Sequence, residues 1–329
     1  MQFGDFQTLC SQVPSYTWCN LFYRQVLDTD QALLTGLSAN AASAPVGVNP
    51  ECGIPKVQTD GSLGNIANTI TCGLSMFVLV SLILFTGRRK AAVGRVELRV
   101  FFSLYFLTLL FQLLTTGSFI QQGSTALVAL TAIHAGLVAT LFWALLANAI
   151  VATQVVEDGT LSSIIPFSIV GLFFFVATTY ISFDVALTLT RTFGPSNPLQ
   201  SLNSVSLFVL TSIWPGVAAI IYLAIMLYVV LGVLNEVRPV VYYMIAFILF
   251  VLSQLDYFLL SKVICRSSSM KVDGSFIATI LETAAVVVLY FAWRGITEGE
   301  AFNKKLADCV CVDSSLFAED WDNDMYYPS

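Results

Sequence analysis

An all-α, polytopic membrane bundle of seven transmembrane helices is the fold class this 329-residue sequence predicts, on three observations. Seven apolar runs follow a polar, cysteine-bearing head, each close to the roughly 20 residues that cross a hydrocarbon core about 30 Å thick. Only 11% of residues are charged, 13% are aromatic and mean hydropathy is +0.79, an apolar surface that a soluble chain of this length has no means to hide. The runs are apolar on all sides rather than alternating with period two, and inside lipid only helices or closed barrels satisfy the backbone. Helices are therefore expected, and their odd number puts the two ends of the chain on opposite sides of the membrane.

The head, residues 1–64, comes first. Asp5, Arg24, Asp28 and Asp30 precede the first apolar run, so no cleavable signal peptide is expected. Between Ala39 and Gly64 it is rich in Ala, Ser, Gly, Asn and Pro, a composition that buries little, and it reads as a small looped cap. The spans follow near Ile66 to Phe85, Leu98 to Thr115, Thr125 to Ala152, Ile164 to Phe183, Val205 to Leu231, Val240 to Leu260 and Phe276 to Trp293, together the transmembrane domain 65–293. The third and fifth are long enough to tilt, and Pro215 is placed to kink the fifth. Short loops make sequential helices neighbours. The remainder, 294–329, is an acidic tail in which Glu298, Glu300, Asp308, Asp313, Glu319, Asp320, Asp322 and Asp324 face Lys304 and Lys305, a composition expected to be disordered and solvated.

Basic residues give the orientation. Arg88, Arg89, Lys90, Arg95 and Arg99 cluster after the first span, which by the positive-inside rule places that loop and the tail in the cytosol and the head in the lumen or outside the cell. Cys10, Cys19, Cys52 and Cys265 then share the oxidising side and are candidate disulfide partners; two bonds in three pairings are open. Cys72 reads as a packing residue within the first span, and Cys309 and Cys311 as cytosolic thiols. Asn68-Thr69-Ile70 and Asn203-Ser204-Val205 both fail as N-glycosylation sequons.

Two sets of intramembrane residues stand out. Ala132, Gly136, Thr140, Ala144, Asn148 and Ala152 recur every four positions along the third span, a row of mostly small residues that lets another helix approach closely. The row serves packing inside the bundle or docking of another protein. His134, Asp256 and Glu282 are the ionisable residues within spans, and such groups are costly in hydrocarbon. A contact of His134 with either carboxylate would suit a proton relay or ligand site; the structural alternative is a satisfied interhelical hydrogen bond.

Chemistry is otherwise excluded by composition. One histidine cannot build a His-based zinc site, and no Cys-X-X-Cys, Gly-X-Ser-X-Gly, Walker or dinucleotide pattern is present, so neither catalysis nor a cofactor or metal is expected. An acidic chain whose basic residues flank membrane spans is no binder of nucleic acid. A seven-helix receptor and a proton-coupled transporter remain as alternatives. Against the first stand short cytosolic loops and the absence of an Asp-Arg-Tyr after the third span; the second lacks an inverted repeat.

Local motifs carry a resemblance. Phe3-Gly4-Asp5-Phe6 with Cys10 and Cys19, Pro50-Glu51-Cys52, Gly94-Arg95-Val96-Glu97, Trp143-Ala144-Leu145-Leu146, Glu157-Asp158-Gly159-Thr160, Ile264-Cys265, Asp273-Gly274 and Trp293 together resemble the fungal chitin synthase export chaperones, over most of the chain. The resemblance implies a non-enzymatic protein of the endoplasmic reticulum membrane that binds a chitin synthase and permits its folding and export, with travel to the plasma membrane beside its client left open. Gly94, Arg95, Glu97, Trp143, Glu157, Asp158, Gly159, Thr160, Asp273 and Gly274 are the family-motif positions and the candidate partner contacts. Glu157-Asp158-Gly159-Thr160 also reads as a turn and helix cap. Glu298-Gly299-Glu300 or Asp322-Asn323-Asp324 would serve as a di-acidic signal for the coat that exports cargo from the endoplasmic reticulum.

Overall fold

The computed structural model describes residues 3–29, 65–88, 94–117, 119–120, 123–155, 159–197, 202–268 and 272–319, with side chains as far as Thr297. Two short helices, α1 (Gln7–Gln12) and α2 (Tyr23–Thr29), flank a 3-10 turn at Thr17–Leu21. Seven helices long and apolar enough to cross a membrane follow: α3 (Ile66–Arg88), α4 (Arg95–Thr116), α5 (Thr125–Ala152), α6 (Leu161–Leu187), α7 (Val205–Val233), α8 (Arg238–Ser267) and α9, whose spanning part is Ser275–Thr297. The face carrying residues 3–29 is called the head face below.

Helix ends fall where the backbone needs special residues. Ser124 caps α5, its Oγ accepting from Leu127 N at 3.2 Å, and Gly94 precedes α4 with φ +70°, a left-handed conformation that glycine adopts without a Cβ penalty. Most helices extend a turn or less beyond the apolar runs because these capping residues lie outside them. At Pro215, where the sequence suggests a kink, a residue with no N–H to donate and a ring that crowds the preceding turn follows a π-helical segment at Val209–Ile213. Further π segments interrupt α7 at Val229–Val233 and α8 at Asp256–Leu260.

Two expectations need correction. The backbone of α9 continues from Ser275 to Glu319, whereas the acidic tail was expected to be disordered. From Ala301 to Glu319 the chain has neither Gly nor Pro, the two residues that break helices most strongly, so nothing local ends the helix there. The first part of the head is also more than a loop. Phe6, Leu21, Phe22 and Val26 are fully buried, in one cluster with Val128 and Ala135 of α5, Val185 of α6 and Leu207 of α7.

α5 is the central helix. It packs against α4, α6, α7 and the 3-10 turn, and 67% of its most apolar stretch is buried, against 11% for α6 at the periphery. α3 packs on α4 and α9, and α8 on α7 and α9, closing the bundle. Away from the head, Phe101, Phe102 and Tyr105 of α4 meet Leu141 and Leu145 of α5, Tyr222 and Met226 of α7, Tyr243 of α8, and Tyr290 and Trp293 of α9 in a second core.

Candidate functional site

The head seals one end of the bundle, and its sequence motif shows how. Phe6 N donates to Leu202 O at 2.7 Å and Ser204 N to Gly4 O at 3.0 Å, around an isolated β-bridge between Asp5 and Asn203. Gly4 has φ +84°, and a Cβ there would stand 2.8 Å from Val205 Cα, so both conformation and space call for glycine. Asp5 Oδ1 accepts from Gln7 N at 2.8 Å at the start of α1, and Cys10 and Cys19 form a disulfide with Cα atoms 5.7 Å apart. That bond holds the turn from Ser15 to Trp18 over the helices. Arg24 adds two bonds, from Nε to Gly123 O at 2.8 Å and from Nη2 to Thr125 Oγ1 at 2.9 Å.

Beneath the head lies a buried polar network centred on Asp273. Its carboxylate accepts from Ser15 Oγ, from Asn65 Nδ2 at 3.2 Å and from Ser275 Oγ at 2.6 Å, uniting the head, the start of α3 and the start of α9. Burial pushes the Asp273 carboxyl above its ordinary value, while the bonds from Ser15, Ser275 and Asn65 pull the other way. Ser15 O accepts from Tyr257 of α8 at 2.8 Å. The chain of bonds descends further, with Asn68 donating to Thr116 Oγ1 at 3.1 Å, Thr279 donating to Asn68 Oδ1 at 3.2 Å and Gln112 donating to Thr279 Oγ1 at 3.0 Å. Gly274 fits tightly, since a Cβ would lie 3.0 Å from Ser261 Cα and 3.1 Å from Asp256 O. Cys265 is buried and disulfide-bonded; Cys52 lies outside the described residues.

The intramembrane ionisable residues do not form the contact the sequence suggested. Glu282 Oε1 accepts from Gln254 Nε2 of α8 at 3.0 Å, an interhelical bond. His134 packs its ring 5.2 Å from that of Trp18, and its Nδ1 has no hydrogen-bond partner. Asp256 is buried beside Gly274, its Oδ2 without a hydrogen bond. The reason is geometric: three positions at similar depth on different helices face different neighbours. His134 and Glu282 nevertheless line one cavity, with Gln112, Gln254 and a set of aromatic rings.

On the opposite face, the Gly94 carbonyl caps α4 by accepting from Leu98 N at 3.0 Å and also accepts from Asn148 Nδ2 at 3.4 Å. Glu97 is buried one turn on, and Arg95 begins the helix. Trp143 Nε1 donates to Phe167 O at 3.0 Å, and its ring stacks 5.9 Å from Phe174, which stacks in turn 4.6 Å from Trp214. Gly159, with φ +67°, and Thr160 lead into α6, where Thr160 O accepts from Ser163 N and Ile164 N; Glu157 and Asp158 lie outside the described residues.

The four-residue row of α5 divides between neighbours as the helix turns. Ala132 is fully buried, and Gly136 lies so close to α6 that a Cβ would stand 2.9 Å from Phe175 O and collide with Thr179. Thr140 Oγ1 reaches Gly171 O at 3.3 Å, Ala144 joins the core with α4 and α9, Asn148 meets Gly94, and Ala152 is partly buried against the same core. Sequence reasoning missed Asp184, whose carboxylate accepts from the backbone N–H of Thr190, Arg191, Thr192 and Phe193 at 2.6 to 3.2 Å and shapes the loop after α6. A lone Asp just past an apolar run was its one signal. Ser15, Trp18 and Asn65 gave none.

A family model described as chitin synthase export chaperone matches residues 2–304, from the head motif through all seven spanning helices. Proteins named chitin synthase export chaperone from Chaetomium globosum and Aspergillus oryzae are each 28% identical over 306 residues, covering 91% of this chain and 83% and 84% of theirs. The protein of that name from Phaeosphaeria nodorum is 27% identical over 297 residues. No solved structure matches the chain. The head motif, the Asp273 network and the capped helix ends thus belong to a match that runs nearly end to end, and this multi-pass helical protein is a member of the chitin synthase export chaperone family.

Proposed function

We propose that this protein is a chaperone of the endoplasmic reticulum membrane that associates with a chitin synthase, supports its folding and licenses its export to the cell surface, and so sustains chitin and cell-wall synthesis. The observation that carries the reading is the family match over residues 2–304, which includes every membrane span. The role is non-enzymatic: the buried polar groups of the head face are mostly engaged in holding elements together. In this reading the head is luminal and the tail cytosolic, which the basic cluster after the first span supports.

A polytopic client carries polar helices that are costly to expose to lipid until assembly is complete, and a partner bundle with polar loops and close-approach faces can shield them. Client recognition is assigned to the cytosolic motif positions Arg95, Glu97, Glu157 and Asp158, and contact with the export coat to the acidic tail. The test is deletion of the gene with a fluorescently tagged chitin synthase followed in the cell. The synthase is expected to remain in the endoplasmic reticulum and cell-wall chitin to fall. Normal delivery of the synthase to the surface in the deletion strain would refute the role.

A further inference from the structure

A cavity of about 240 Å³ lies within the bundle, and Ser15 to Trp18 of the head line it. Aromatic rings make up a large part of its wall, with Tyr105, Tyr222, Tyr243, Phe247 and Phe250 among the lining residues. One carboxylate, Glu282, faces it, and no Lys or Arg is among the described residues of the wall. Glu282 has Gln254 as a neutral donor at 3.0 Å, and His134, only 5% exposed, lines the same space with Nδ1 unbonded. The π segments Val209–Ile213 and Asp256–Leu260 bring Thr211, Tyr257 and Phe258 into the wall, and such wide turns are rare and concentrate at functional sites.

A carboxylate among apolar groups is costly unless a cation or a proton offsets its charge, and no cationic side chain among the described residues of this wall supplies the cation. Aromatic rings lining the same cavity as a carboxylate are the recognition chemistry of organic ammonium ions, which gain from both the negative charge and the ring quadrupoles. We propose that the cavity binds an organic ammonium with an apolar body, the nitrogen at Glu282 and the body against the rings of Tyr222, Tyr243 and Phe250. A choline headgroup of a lipid presents the same ammonium beside a phosphate. The described residues of the wall offer no Lys or Arg to meet that phosphate, so a free amine is the species assigned.

The experiment uses the full-length protein in a non-ionic maltoside detergent, titrated with 2-phenylethylammonium, with benzyltrimethylammonium and with the neutral analogue 2-phenylethanol, read by unfolding temperature and by calorimetry. At least one ammonium is expected to raise the unfolding temperature saturably, as a ligand specific to the folded state must, and the alcohol to leave it unchanged. Glu282→Gln, close in size, is expected to weaken binding about tenfold or more. Ala246→Phe, which places a ring into the wall from a buried position, is expected to abolish it. The assignment is overturned by no saturable response of the wild type to either ammonium, by an equal response to the alcohol, or by unchanged affinity in a folded Glu282→Gln variant. If that variant fails to fold, Ala246→Phe decides by the same criterion. Phosphocholine competing as strongly as the free amines would overturn the free-amine assignment in favour of a lipid headgroup. No chitin synthase is needed, so a negative result leaves the chaperone role standing.

Discussion

At Asp273 one fully buried carboxylate collects donors from three stretches of chain far apart in sequence, Ser15, Asn65 and Ser275. Removing it by Asp273→Ala leaves those donors buried without their acceptor, at a cost of about 3 kcal/mol, to be measured as a drop in unfolding temperature in micelles. Its titration gives a second readout. Burial raises the folded value above the ordinary carboxylate pKa of about 3.9, so the folded state holds its proton to higher pH than the unfolded chain. The associated stability is complete below the ordinary value and is lost as pH rises through the folded one. Unfolding temperature measured against pH is expected to fall across that window in the wild type, and Asp273→Asn to lack that part of the slope.

Among the elements, α5 and α6 approach closely, with Gly136 and Gly171 each facing a side chain or backbone of the other helix. Gly136→Leu forces the pair apart, and overpacking of this kind costs about 1–3 kcal/mol. A lower unfolding temperature and faster tryptic cleavage than wild type are expected; a variant as stable as wild type would mean that this seam tolerates separation. The number and order of the spanning helices were legible because each needs a long apolar run, and Pro215 because a missing N–H acts through local geometry, whereas the caps at Ser124 and Gly94 emerged only with the structure. The small-residue row was visible too, though its division between α6 and α4 followed from helical drift that sequence alone assigns to no neighbour. The head docking was not legible. Ser15, Trp18 and Asn65 are ordinary polar or aromatic residues whose partners lie tens to hundreds of positions away, and no local period encodes such meetings. The continuation of α9 was misjudged because net charge outweighed helix propensity in reading the tail.

For the whole molecule, the head and the last inter-helix loop form one unit. With Cys10 bonded to Cys19 and Cys265 also in a disulfide, Cys52 is the remaining cysteine on the proposed luminal side and is the expected partner of Cys265. Peptide mapping without reduction should recover the two cysteines in one linked fragment; recovery of alkylated Cys52 from unreduced protein would exclude the pairing. The union of Ser15 with Asp273 spans 258 positions, and Tyr257 reaches Ser15 from α8. A ribosome delivers the amino-terminal segment first and these two anchors nearly last. The head must therefore wait, unlatched, until the final helices are made, and its closure is a mark carried only by chains whose synthesis through α9 is finished.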